Sequence, residues 1–173
     1  MTRIIRKLRL SLRLDLRDYL ISWLGGFLGI GILGLVNSTI FSSQEVVMLI
    51  GSFGASAILI FGEYKSPLSQ PRNLIGGHVI SAFIGVSIMH ISGMEIWMSA
   101  ALAVSLSLLA MKISSTTHPP GGATALIAVI GGEKIQKLGY GFVLFPVATG
   151  AFILFIVAYL VNNLLGSRKY PLR

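Results

Sequence analysis

KISSTTHPPGGATALIAVIGG, residues 112–132, is the stretch whose reading decides the fold. It opens with Lys112 and four hydroxyl residues, 114–117. It passes through His118-Pro119-Pro120-Gly121-Gly122 and ends in an apolar run, residues 123–130. A helix cannot run smoothly through it. Each proline removes a backbone donor and pushes the residue before it toward an extended conformation. A helix restarting after Pro120 directs the N–H groups of Gly121, Gly122 and Ala123 back toward residues 114–118. Such an end favours negative charge, because the dipole and the unpaired donors act together.

The rest of the chain makes this break unusual. Of 173 residues, 54% are hydrophobic and 12% are charged. Mean hydropathy is +0.81. Soluble domains carry about 25% charged residues, so the class is integral membrane protein. Apolar runs of helix length point to an all-α bundle rather than a barrel of short alternating strands. The chain has no cysteine, which excludes disulfides, thiolate metal sites and cysteine nucleophiles. A net charge of +8 beside apolar spans points to lipid head groups and topology, not to nucleic acid.

The fold expected is a polytopic transmembrane helical bundle of about six spans, two of its segments broken by proline and glycine. The spans are residues 19–41, 45–62, 73–91, 95–113, 113–131 and 139–165. Residues 1–18 form a basic arm at the cytoplasmic face, residues 19–166 the transmembrane domain, and residues 167–173 a basic cytoplasmic tail. Within the arm, RLSLRLDLR (9–17) alternates with period two, a strand signal. A lone strand has no partner here, so a helical or irregular segment on the membrane surface is expected. Gly25 and Gly29 are spaced for close helix packing, within the bundle or between copies. With six crossings, 12 of the 14 lysines and arginines fall on one side, which the positive-inside rule makes cytoplasmic.

A parallel internal repeat runs through the middle of the chain. Ser42-x-x-Glu45 and Ser92-x-x-Glu95 each fit a helix-capping pattern. Each following span leads into a proline-bearing polar stretch and a glycine pair, Gly76-Gly77 or Gly121-Gly122. Residues 66–73 and 114–122 are therefore expected to meet and to line one polar vestibule open to the inner side.

All six acidic residues lie at span ends or outside spans. Cation pumps and proton-coupled carriers commonly hold a carboxylate at membrane depth. The polar inventory here is donor-rich and positive, and it suits a small monovalent anion. Candidate binding residues are Arg72, Asn73, His78, Thr116, Thr117, His118, Gly121 and Gly122. Each has a plainer reading. His118 can cap the broken backbone by donating to a carbonyl, and His78 can serve packing or a bundle hydrogen bond. Arg72 can simply set orientation, and the hydroxyls can satisfy freed carbonyls. His90 and Asn162-Asn163 read as interfacial. Three histidines without carboxylates or thiolates make a poor metal site, so no metal or cofactor is expected. Without paired carboxylates, cysteine or a metal cluster in the spans, an enzyme is not expected either.

SPLSQPRNLIGGH (66–78) followed by THPPGGATAL (117–126) resembles the HPP family of small integral membrane proteins, over about residues 20–165. Similar members in cyanobacteria and chloroplast envelopes are implicated in nitrite transport. The resemblance thus implies nitrite as the anion and a bacterial plasma or inner membrane as the location, and the charge bias over six crossings puts both termini in the cytoplasm. A six-helix bundle this small is expected to form a homo-oligomer in the lipid bilayer. The alternative is a membrane scaffold or subunit whose broken helices are packing devices.

Overall fold

A computed structural model describes residues 2–40, 49–91, 93–166 and 168–172, with side chains from residue 16 onward. The described residues form seven helices and no strand. Helix α1 covers Thr2–Ile40, α2 Gly51–Gly62, α3 Pro71–Met89, α4 Ile96–Ile113, α5 Pro119–Ile130, α6 Gly132–Leu138 and α7 Val143–Leu165.

Four of these are long and apolar enough to cross a membrane: α1 from Leu16, α3, α4 and α7. Their outward faces carry Trp23, Phe27, Trp97, Leu109, Ile113 and Leu164, all exposed. In hydrocarbon such a face is matched to its solvent. Helices α2 and α5 have twelve residues each by their bounds, about 18 Å at the usual rise. That is less than the roughly 30 Å of a bilayer core.

The expected alternative for residues 9–17 resolves as helix. A helix pairs its backbone groups internally, whereas an isolated strand leaves every one open. The arm and first span are one continuous helix of 39 residues. The second span is shorter than expected. Residues 49 and 50 are not helical and the helix begins at Gly51, while residues 45–48 lie outside the described residues. The expected capping at Ser92-x-x-Glu95 differs too. Glu95 is itself the N-cap of α4, its carbonyl accepting from Met98 and Ser99 N–H. Ser92 and the Ser42–Glu45 motif lie outside the described residues.

One end of the bundle is held together by polar contacts. Arg168 is buried and spends all five N–H donors. Nε donates to Asp18 Oδ1 (2.9 Å), Nη1 to the Phe61 carbonyl (3.1 Å) and Asn162 Oδ1 (3.0 Å), and Nη2 to the Asp18 carbonyl (2.6 Å) and Ser22 Oγ (2.9 Å). Its guanidinium covers the Tyr64 ring at 4.7 Å. Asn162 is thus fully buried rather than interfacial. The Tyr170 hydroxyl donates to the Ser69 carbonyl (2.8 Å), so residues 168–172 dock on the loop between α2 and α3.

The opposite end is marked by His90, which stacks on Tyr140 at 5.6 Å. Helix α3 therefore runs from the clasped end to the His90 end, and α4 returns. Helix α5 runs parallel to α3, with Gly121 beside Gly77, and Ala125 and Ala128 beside Gly85. Segment 113–131 thus passes from one end to the other and does not turn back. The core lies where the two triplets α1–α2–α7 and α3–α4–α5 meet, with Phe53, Phe61, Leu74, Phe142 and Leu154 fully or almost fully buried. Gly25 and Gly29 receive the Phe61 ring, so their spacing serves packing within the bundle.

Candidate functional site

Helix α4 ends where Ser115 turns to φ 55° and the chain leaves the helix. His118 is extended (φ −139°, ψ 102°) and serves as the N-cap of α5. Pro119 and Pro120 stand at the first two helical positions, where a missing N–H costs nothing. The third donor, Gly121 N–H, bonds the His118 carbonyl at 2.8 Å. Of the three N–H groups expected to be free, that of Gly121 is thus used, and Gly122 and Ala123 are the fourth and fifth helical residues, where an N–H bonds the carbonyl four residues back.

Residues 66–73 and 114–122 do meet, as expected. Arg72 Nη2 donates to the Ser114 carbonyl (2.8 Å) and Asn73 Nδ2 to the Thr117 carbonyl (2.8 Å). His118 Nδ1 lies 2.8 Å from the Leu68 carbonyl. These groups bind each other rather than lining an open vestibule. Thr116 is buried with its hydroxyl 2.7 Å from Ser114 Oγ and its methyl against Gly76. Gly121 faces the backbone of Gly77; a Cβ there would lie 2.8 Å from the Gly77 carbonyl oxygen. Gly122 is half-buried, with Val104 as its nearest neighbour.

His78 and His118 are brought together, both fully buried, with ring centroids 5.0 Å apart. Ser56 Oγ bridges them, 2.7 Å from His78 Nε2 and 2.8 Å from His118 Nε2. His78 Nδ1 is 2.7 Å from Thr124 Oγ1, which is 2.9 Å from Ser52 Oγ. Phe53 closes the His78 side edge-on at 5.2 Å. The chain Ser52–Thr124–His78–Ser56–His118 thus links α2, α5 and α3 and ends on the Leu68 carbonyl.

That carbonyl can only accept, so His118 carries its hydrogen on Nδ1 and presents a bare Nε2. Thr124 Oγ1 donates to Ser52 Oγ, so His78 carries its hydrogen on Nδ1, donating to Thr124 Oγ1, and its Nε2 is bare as well. The single Ser56 hydrogen thus lies between two bare Nε2 atoms in the neutral state. No carboxylate hydrogen-bonds either ring among the described residues. Nor do they contain a group of three metal-ligating side chains. His118 donates to a carbonyl of the loop between α2 and α3, that of Leu68, and His78 makes its hydrogen bonds within the bundle.

Sequence reasoning missed Ser52, Ser56 and Thr124. Ser52 and Ser56 are four apart and so share one helix face, and Thr124 lies four residues past Pro120. Small polar residues at that spacing, inside an apolar helix, are the signal that was available.

A helical bundle with apolar outer faces and a buried polar cluster defines an integral membrane protein. The chain matches the HPP transmembrane region over residues 11–171, and it belongs to the HPP family. Two Dictyostelium discoideum proteins, each described as a transmembrane protein, are similar to it. One is 44% identical over 163 residues, 92% of this chain and 52% of the relative. The other is 44% identical over 162 residues, 91% and 56% respectively. The chain spans about half the length of these curated relatives. No solved structure matches.

Proposed function

We propose that this protein moves a small monovalent anion, nitrite first, across the bilayer, and that it is not an enzyme. The observation that carries the reading is the buried cluster of Ser52, Ser56, His78, His118 and Thr124. It supplies hydroxyl and imidazole donors inside an apolar bundle, and no carboxylate bonds it among the described residues. Such a site repels an anion least and binds it weakly, as a conducting site must. Nitrite itself rests on the family resemblance alone. We place the clasped end, with Lys65, Arg72 and Arg168, on the cytoplasmic side of a bacterial inner membrane, following the positive-inside rule. Assembly of copies through the exposed apolar faces of α1 or α4 belongs to the same proposal.

The test is flux of labelled nitrite into liposomes that contain this chain alone. Protein-dependent, saturable uptake supports transport. One observation favours a scaffold instead: every ring nitrogen in the cluster already has a partner within the chain. Uptake no faster than in protein-free liposomes would give that reading precedence.

A further inference from the structure

We infer that His118 is a proton-binding site that takes up one proton together with each transported anion, so that transport is electroneutral. The inference rests on the transport reading above and adds the coupling ion to it.

The geometry leaves room for one more hydrogen without moving a heavy atom. In the neutral cluster the single Ser56 hydrogen can serve only one of two bare nitrogens, His118 Nε2 at 2.8 Å or His78 Nε2 at 2.7 Å. Ser56 Oγ is also 3.1 Å from the Ser52 carbonyl, one turn back on α2. A proton arriving at His118 Nε2 turns that nitrogen into a donor. The Ser56 hydroxyl then accepts from His118 and turns its hydrogen onto His78 Nε2. His118 Nδ1–H stays on the Leu68 carbonyl. Every hydrogen of the imidazolium has an acceptor, and none is displaced. His78 Nε2 faces the same Ser56 hydroxyl, so the added proton is shared across the His118–Ser56–His78 bridge, with His118 as its end on the Leu68 loop.

Charge then couples the proton to the anion. A buried cation without a counter-charge is costly. The titratable group facing His118 is His78, which adds no negative charge. From the surrounding elements, Glu63 borders the apolar groove beside Pro119 and Pro120. Arg72 sits on the Ser114 carbonyl, Lys112 is exposed at the end of α4, and Tyr170 donates to Ser69. None of these bonds either ring. An anion entering beside His118 supplies the missing negative charge, and the proton supplies the attraction that a neutral cluster lacks. On release the proton leaves His118 Nε2 with the anion, and Ser56 turns back.

The experiment uses the full chain in liposomes with a trapped pH dye and a membrane potential set by valinomycin and potassium. Nitrite is added outside, and protein-free liposomes provide the background of permeating nitrous acid. The expected result is one proton entering per nitrite, at a rate independent of the set potential. His118→Gln, shown to insert, should lower the coupled proton flux at least tenfold. If that variant does not insert, Ser56→Ala should do the same, since it removes the acceptor for the second imidazolium N–H. Protein-dependent nitrite entry that follows the potential without acidification would overturn the proton site and leave anion transport standing. Unchanged one-to-one coupling in either inserted variant would overturn the assignment to His118. Absence of protein-dependent nitrite flux would overturn the transport reading, and this inference with it.

Discussion

Gly121 and Gly122 are adjacent in the sequence and opposite in consequence. A Cβ on Gly121 would sit 2.8 Å from the Gly77 carbonyl oxygen and 2.9 Å from Ser81 Oγ, and backbone cannot give way. A Cβ on Gly122 meets only Val104, at 3.8 Å. We therefore expect Gly121→Ala to cost about 1–3 kcal/mol by overpacking. Gly122→Ala should be neutral or gain up to about 1 kcal/mol from helix propensity. Thermal unfolding of the two variants in the same detergent compares them directly, and equal melting temperatures would refute the packing account. Tyr170 offers a second test. Its phenol is buried, which pushes its pKa above the ordinary value of a tyrosine. The folded value is raised, so its contribution is complete below the unfolded pKa, about 10, and is lost as pH rises through the folded value. Melting temperature should thus be insensitive to this residue's titration up to about pH 9. Tyr170→Phe should lower it across that range by removing the bond to Ser69.

Helices α1, α2 and α7 meet at the Arg168 clasp. Only a guanidinium can serve five acceptors from three elements at once, so lysine is no substitute. The Arg168 side chain is 3% exposed and that of Asp18 46% exposed, with N···O 2.6 Å. Breaking a buried pair costs about 3–5 kcal/mol; solvent at Asp18 places Arg168→Lys toward the low end. Lys169→Ala changes an exposed neighbour and should leave stability within about 0.5 kcal/mol. Denaturation in mixed micelles separates the two, and an Arg168→Lys protein as stable as Lys169→Ala would remove the clasp from the account.

Across the whole molecule, the loop between α2 and α3, residues 114–118 and the C-terminal tail gather at one end, with Tyr140 and α6 at the other. The native chain has no cysteine, so single cysteines report cleanly. Cysteines replacing Lys65 and Lys169, both exposed, should react with an impermeant maleimide from the same side of the membrane. A cysteine replacing Lys137 should react from the opposite side. Labelling of positions 65 and 137 from one side would exclude the six-pass arrangement.

Several features could be read from the sequence because they follow from local chemistry. Twenty apolar residues cannot lie in water, and His118-Pro119-Pro120 cannot continue a helix. The paired proline–glycine stretches had to start two parallel helices. Charge counting gives an expected topology, since that depends on the number of basic residues more than on their positions. What Arg168 does could not be read this way. In sequence it is one more basic tail residue, and only the fold brings Asp18, Ser22, Phe61 and Asn162 around it. The same holds for the free N–H groups expected after Pro120. Whether a donor stays open depends on the φ and ψ of His118, which set its carbonyl against Gly121. Ser56 is one of many serines in an apolar run. Its place between two imidazoles comes from the crossing of α2 over α3 and α5, a long-range contact that no local pattern encodes.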